Sequence, residues 1–325
     1  MVRIGKLIGG LWIGLVACSS PPPEQPAASP EPAAPVSQGY VSTQYLLETN
    51  QLHRLMENGV PVVLIDLRKT EEYAQGHLPG AQAVWRPDIQ DLESYPYGGM
   101  RMSEKQATAL LSKLGVTPET KVVIYDAKGG VDAARLWWIL LHYGHNNVAL
   151  LNGGLPAWQA SGYPTTTELP TITPSHYAFC GQPTTQWFAN RDQVLEATTD
   201  PQVVLIDTRT TDEYTGAEQK SGAFKPGRIT SSIHLDYYRN IDTSPEGHMR
   251  FKSYEDLKAM YDEAGITPDH SIIAYCHSGV RSAHTTFVLT QLLGYPQVAN
   301  YDGSWTEWSY YDELPFETDA TPVAQ

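Results

Sequence analysis

Cysteine is scarce in this chain. Among 325 residues only Cys18, Cys180 and Cys276 carry a thiol, too few for the disulfide framework that staples small secreted folds. Cations are scarce as well: 22 Lys and Arg face 36 Asp and Glu, for a net charge of −14. That balance argues against nucleic acid, or an anionic membrane surface, as a general partner. It also repels anionic small molecules at long range, so an anion site must carry local positive potential. The apolar stretch near the start, Leu7 to Val16, is too short to span a bilayer comfortably. Ten histidines are present, but His142 and His145 have no carboxylate or thiol at metal-ligand spacing. No metal and no cofactor are expected. What remains is ordinary for a globular protein: 41% apolar residues, in a chain long enough for two domains.

Chemistry concentrates in Ser271 to Arg281, S-I-I-A-Y-C-H-S-G-V-R. An apolar run ends in Cys276, a short loop with Gly279 follows, and a helical pattern begins at Arg281 and stops at Gly294. A thiol between a buried strand end and a helix N-terminus faces unsatisfied backbone N–H groups and the positive end of the helix dipole. That setting lowers a cysteine pKa and makes the sulfur nucleophilic near neutral pH. The loop is too tight for a cage of bulky side chains, so backbone amides must do most of the anion binding.

The chain also repeats itself. Val62 to Arg68 with Glu71-Glu72-Tyr73 recurs as Val203 to Arg209 with Asp212-Glu213-Tyr214, an offset of 141 (207 − 66). Gly144 and Gly294, Trp158 and Trp308, and Asp126 and Cys276 are 150 apart (276 − 126). The second copy therefore carries a net insertion of 9 residues (150 − 141), placed at Gly216 to Gly227. In each copy short continuous apolar runs, V-V-L-I and K-V-V-I-Y, then V-V-L-I and S-I-I-A-Y, read as strands buried on both faces. Amphipathic segments Ser103 to Leu114 and Ser253 to Ala264 read as helices. The alternation predicts an α/β fold with a mainly parallel sheet flanked by helices in each copy. Ligands of such sheets bind at the C-terminal strand ends, where Cys276 lies. A Thr- and Pro-rich linker is placed at residues 166–185, between a first domain at 40–165 and a second at 186–318. Cys180, near that junction, is expected to be a small, partly buried side chain. Trp137, Trp138, Trp305 and Trp308 are expected in core or interdomain packing, and His284 packed within its helix. The Asp66-Arg68 and Asp207-Arg209 pairs are expected to pin loops rather than handle protons.

Residues 1–17 have a basic start, Arg3 and Lys6, and an apolar stretch ending Leu15-Val16-Ala17-Cys18-Ser19. This resembles the lipobox of bacterial lipoproteins. The resemblance implies a signal peptide cleaved before Cys18 and lipid on its sulfur, with enough alkyl chains for stable anchoring. Residues 18–39 form a Pro/Ala-rich tether that cannot build a core. Ser19 at the sorting position implies the bacterial cell envelope, at the outer membrane facing the periplasm. The lipid would be the membrane contact.

The repeat resembles the tandem rhodanese-domain sulfurtransferases over nearly all of residues 40–318. The residues that carry the likeness are Val41-Ser42-Thr43, Gly76-His77-Leu78-Pro79-Gly80-Ala81, Asn152-Gly153-Gly154 with Trp158, and Asp302-Gly303-Ser304-Trp305 with Trp308. The resemblance implies two rhodanese-like domains, the first silent with Asp126 at the cysteine position. It makes Cys276 the persulfide carrier. The reaction it implies moves a sulfane sulfur from a small donor such as thiosulfate to cyanide or a thiol. A disulfide between Cys180 and Cys276 would block it, so both are expected reduced. His277, Ser278, Gly279, Val280 and Arg281 are the expected substrate-binding loop. Arg281 would meet sulfonate oxygens, or else pair with an acid. His277 either shapes loop polarity or faces solvent. Ser278, Gly279 and Val280 fit the loop of the 3-mercaptopyruvate enzymes, whereas the C-x-x-G-x-R-S form is closer to bacterial thiosulfate enzymes. Glu213 stands where animal-type enzymes place an anion-binding arginine, so Lys220, Lys225 and Arg228, in and beside the insertion, are the replacement candidates. A Cys-based phosphatase would need C-x5-R, one residue longer than the C-x4-R found. A non-enzymatic persulfide-binding module is the remaining alternative.

Overall fold

The computed structural model describes residues 38–319; the lipobox-like segment and Cys18 lie outside them. No helix among the described residues is long and apolar enough to cross a membrane.

Two sheets of the same design carry the chain. The first uses β1 (Leu46–Leu47), β2 (Val62–Asp66), β3 (Gln82–Ala83), β4 (Lys121–Tyr125) and β5 (Val148–Leu151), in the order β1-β5-β4-β2-β3 with every pair parallel. Helices α1 (Thr49–Glu57), α2 (Thr70–Ala74), α3 (Glu104–Lys113), α4 (Val131–His142) and α5 (Gly154–Ala160) connect these strands and cover the sheet. The second half repeats the plan. Strands β6 (Phe188–Ala189), β7 (Val203–Asp207), β9 (Ile233–His234), β12 (Ser271–Tyr275) and β13 (Val298–Tyr301) run in the order β6-β13-β12-β7-β9, again all parallel. Its helices are α6 (Arg191–Ala197), α7 (Thr211–Thr215), α8 (Tyr254–Glu263), α9 (Val280–Phe287) and α10 (Ser304–Trp308). The expected helices α3 and α8 start where their sequences say they should, because Ser103 and Ser253 accept the orphan N–H groups of Gln106 and Asp256. The helical pattern running to Gly294 divides: after α9 the backbone continues as one π-type turn, Val288–Leu292.

Two small antiparallel pairs were not expected. Strands β10 (Ile241–Thr243) and β11 (Met249–Phe251) form a hairpin, and β8 (Arg228–Ile229) pairs with β14 (Phe316–Glu317). Each strand has two or three residues, too short for a periodicity to register.

One buried cluster runs through both halves. It joins Leu136, Trp137 and Leu140 of α4 to Ala283 and Phe287 of α9, and includes Leu111, Leu257 and Tyr261. Trp137 meets Phe287 edge to face at 4.8 Å. The opposite face of each sheet has its own cluster, centred on Trp158 in the first half and on Trp305 and Trp308 in the second. The tryptophans thus sit in core and interdomain packing, as expected. Residues 166–185 are strapped to the first half rather than loose. Ser175 N donates to Ser112 O, Tyr177 OH bonds His145 Nδ1, and Thr184 N donates to His142 O. Cys180 on this strap is exposed, not partly buried as its neighbours suggested, because it lies in irregular chain running over the surface. No disulfide joins it to Cys276.

Candidate active site

Cys276 follows β12 directly, and Gly279 caps α9 in a left-handed conformation, φ 73°. Only glycine fits there. A Cβ on Gly279 would approach Arg135 Nη1 and Asp302 O at 2.6 Å, and φ is positive besides. The loop bends back under α9, leaving Cys276 almost fully buried, 1% exposed. Ser304 braces the bend. Its Oγ accepts from Cys276 N at 3.1 Å and Gly279 N at 3.0 Å, while its own hydroxyl donates to Tyr301 O. Ser304 holds φ 50°, unusual for a residue with a side chain.

The thiol's surroundings favour its anion. Burial alone would push the Cys276 pKa up, but the Arg281 charge, the Ser282 hydroxyl and the N–H groups of Ser282 and Ser278 outweigh it, so the pKa falls below the ordinary value. Ser282 Oγ lies 3.5 Å from the sulfur. Arg281, however, is not open to a donor. Nη1 and Nη2 reach Glu213 Oε2 at 2.5 Å and Oε1 at 2.8 Å, with both side chains largely buried. Burial raises the Glu213 pKa, yet the Arg281 hydrogen bonds and charge bring it down to about 2. His277 is half-buried, with Nε2 3.1 Å from Ser221 O of the insertion. Burial, then nearby Lys220, lowers its pKa to about 4, so the ring is neutral at working pH. Of the three candidate cations, Lys220 and Lys225 in the insertion and Arg228 just after it, Lys220 acts on the loop, through His277 and Glu213. Lys225 and Arg228 are committed elsewhere, which corrects their assignment as anion contacts: Lys225 Nζ bonds Tyr311 O and pairs with Asp312, and Arg228 pairs with Glu317 and Asp319 beside β8 and β14.

The first half contains the same cradle with its anion built in. Asp126 follows β4 as Cys276 follows β12. Its Oδ1 accepts from Lys128 N at 2.8 Å and Gly130 N at 2.9 Å, and its Oδ2 from Asp132 N at 2.9 Å and Ala133 N at 3.1 Å. Shifted by 150, these donors are Ser278, Val280, Ser282 and Ala283. Two of them, Ser278 and Ser282, are those whose N–H groups favour the Cys276 thiolate. The first half is thus an internal map of how the Cys276 loop holds negative charge. Asp66 with Arg68, and Asp207 with Arg209, form buried ion pairs beside these loops, and each arginine also donates to a backbone carbonyl, Gly76 O or Gly227 O. They pin loops, as expected.

Comparison with known proteins places the chain. The model of the rhodanese-like domain matches twice, over residues 48–161 and 190–310. The chain belongs to the rhodanese-domain family. Among curated relatives, the sulfur carrier protein TtuD of Thermus thermophilus is 36% identical over 85% of this chain and 98% of its own length. The thiosulfate sulfurtransferase of Azotobacter vinelandii is 34% identical over 79% and 91%. Among solved structures, the anaerobic ergothioneine biosynthesis enzyme of Chlorobium limicola with trimethyl histidine superposes with a TM-score of 0.74 at 23% identity, covering 86% of this chain and 71% of its own. A persulfide-bearing structure of EanB with ergothioneine gives a TM-score of 0.75 at 23% identity, covering 86% and 72%. These last likenesses concern the fold.

Three residues of the rhodanese site were not singled out from sequence. Ser304 sits inside the Asp302-Gly303-Ser304-Trp305 motif, and that motif was the available signal. Ser282 enters the sequence reading only as the last residue of the C-x-x-G-x-R-S form. Glu213 was read as a missing cation, whereas in the fold it is the partner of Arg281.

Proposed function

We propose that this rhodanese is a thiosulfate sulfurtransferase working through a persulfide on Cys276. The observation that carries the reading is the cradle filled by Asp126 in one domain and by the thiol of Cys276 in the other. The Cys276 thiolate attacks the outer sulfur of thiosulfate. The sulfur–sulfur bond of the donor breaks, and sulfite leaves with its electron pair. Cys276 then holds a persulfide whose outer sulfur is anionic, matched to the N–H groups of Ser278, Val280, Ser282 and Ala283. A thiophilic acceptor, cyanide or a thiol, attacks that outer sulfur, the persulfide bond breaks, and the thiolate returns. Ser282 donates to the sulfur, and Arg281, fixed by Glu213, supplies positive potential without occupying the sulfur's place. Lys220 is the cation left to meet the donor's sulfonate oxygens, and Ser278 and His277 line the approach. Thiocyanate formation measured with thiosulfate and with 3-mercaptopyruvate side by side tests the reading. A tenfold higher kcat/KM for thiosulfate, about 1.4 kcal/mol of transition-state preference, is expected; a preference for mercaptopyruvate would overturn the choice of donor.

The same reading places the enzyme on the bacterial cell envelope, tethered through lipid on Cys18 and facing the periplasm from the outer membrane. Leu15-Val16-Ala17-Cys18-Ser19 and the Pro/Ala tether support this. Fractionation of cells expressing the full chain or its Cys18→Ala variant tests it: loss of membrane association in the variant is expected, and an unchanged distribution would contradict it.

A further inference from the structure

Arg135 belongs to α4 of the silent domain, yet it reaches the catalytic loop. It is 2% exposed. Nη1 donates to Gly279 O at 3.2 Å, and Nη2 to Asp302 Oδ1 at 2.5 Å and Gly99 O at 3.0 Å. Asn300 Nδ2 donates to the same Gly279 carbonyl at 3.2 Å. The direction of that carbonyl matters. In a planar trans peptide the C=O and the following N–H point opposite ways, so holding Gly279 O toward Arg135 turns the Val280 N–H the other way.

The silent domain indicates what lies there. Gly130 N, the counterpart of Val280 N, donates to Asp126 at 2.9 Å. The carbonyl on that same peptide, Gly129 O, is held from behind by His284 Nε2 at 3.1 Å, and His284 belongs to α9 of the other domain. Each domain therefore reaches across and holds the peptide whose N–H faces its partner's anion. The two arms differ. Behind Asp126 stands a fully buried histidine, its pKa lowered to about 4 by burial and so uncharged. Behind Cys276 stands a guanidinium with a second guanidinium next to it, since Asp302 also pairs with Arg101 at 2.5 Å. Two arginines on one carboxylate leave a net positive charge at the back of the working cradle.

We propose that Arg135 is a positioning residue for sulfur transfer, supplied by the catalytically silent domain: it fixes the Gly279–Val280 peptide so that the Val280 N–H receives the anionic sulfur on Cys276. This rests on Cys276 as the sulfur carrier. It gives the first domain a task in the reaction beyond packing.

The experiment compares Arg135→Met with Arg101→Met in the full chain. Both remove one arginine from Asp302 and leave the other pairing it, so both lower the melting temperature. Only Arg135 bonds the loop. Two readouts are taken: the pH profile of Cys276 alkylation by iodoacetamide, and the rate of persulfide formation with thiosulfate. The charge facing that thiol, Arg281, and the groups around it, Glu213, Lys220 and the neutral His277, are the same in both variants. Arg135→Met is expected to slow persulfide formation at least tenfold and shift the alkylation profile to higher pH, while Arg101→Met leaves that profile where it was. Arg135→Lys, which keeps a donor, is expected to recover part of the loss. If either Met variant fails to fold, Arg135→Lys against Arg101→Lys decides, with the same ordering expected. Equal behaviour of the two positions, or a wild-type profile in folded Arg135→Met, would overturn the proposal. Absence of persulfide in the wild type would instead overturn the role of Cys276, and the alkylation profile would still report on Arg135.

Discussion

Arg281 holds Glu213 with both terminal nitrogens, and this pair sets the charge of the catalytic loop. A guanidinium five positions after Cys276 has the fork geometry to bind a sulfonate. Here it is spent on a carboxylate from α7, which anchors the loop's exit into α9 and moderates the positive potential around Cys276. Removing either partner therefore has two separable effects, on stability and on the thiol.

Arg281→Gln strands the Glu213 carboxylate, 3% exposed, without its ion partner. A loss of about 3–5 kcal/mol is expected, with the Cys276 titration moved to higher pH. The double variant Arg281→Gln/Glu213→Gln should recover most of the stability but not the acidity of the thiol. Urea unfolding and alkylation profiles check the two halves. Recovery of both together would show that the pair is structural only.

Glu213→Gln alone removes a negative charge beside the thiolate and keeps a hydrogen-bonding group for Arg281. The Cys276 titration should move to lower pH and the KM for thiosulfate should fall several-fold, because both the thiolate and the dianionic donor gain from the lost repulsion. Steady-state kinetics at low ionic strength measure it. A rise in KM in the folded variant would contradict the charge argument.

Stability should fall on mild acidification. Buried His142 and His284 and half-buried His277 each have a pKa lowered to about 4, first by burial. Each is neutral in the fold, while an unfolded histidine takes up its proton near the ordinary 6.5. Stability is thus whole above about pH 6.5 and declines as pH falls toward 4. Glu213 has the depressed-carboxylate sign: its contribution holds above its unfolded value of 4.5 and is lost as pH falls toward about 2. Fully buried His284 accounts for a loss on the order of 3 kcal/mol. Urea midpoints of wild type and His284→Gln between pH 7 and 4 check this, with a flatter profile expected for the variant.

Ser304→Ala leaves the buried Cys276 and Gly279 amides without their shared acceptor. A cost of about 2–3 kcal/mol is expected, with slower persulfide formation because the loop loses its brace. Asp126→Ala makes the contrasting case. Four amides of the silent cradle lose their acceptor, so stability should drop by a comparable amount, while thiosulfate turnover of the folded protein stays within about twofold. Melting curves paired with thiocyanate assays separate the two.

Much of this was legible in the chain itself. Short apolar runs such as Val203 to Ile206 mark strands buried on both faces, Ser103 and Ser253 announce helix starts, and the 150-residue echo sets Asp126 of one copy against Cys276 of the other. The rest depends on contacts distant in sequence, which leave no local pattern. Glu213 is 68 positions from Arg281, and Arg135 is 144 from Gly279. Nothing in the helix V-D-A-A-R-L-W-W announces that its arginine serves the other domain. The β10–β11 hairpin was hidden for a plainer reason, since three residues per strand carry too little periodicity to read.

The central claim is that one sulfur atom rides on Cys276. Purified protein incubated with excess thiosulfate, freed of donor and analysed as intact and digested protein by mass spectrometry, tests it most directly. A single added sulfur is expected on the peptide bearing Cys276, absent from Cys276→Ser and discharged by cyanide as thiocyanate. No added mass, or added sulfur on Cys180 instead, would contradict the account.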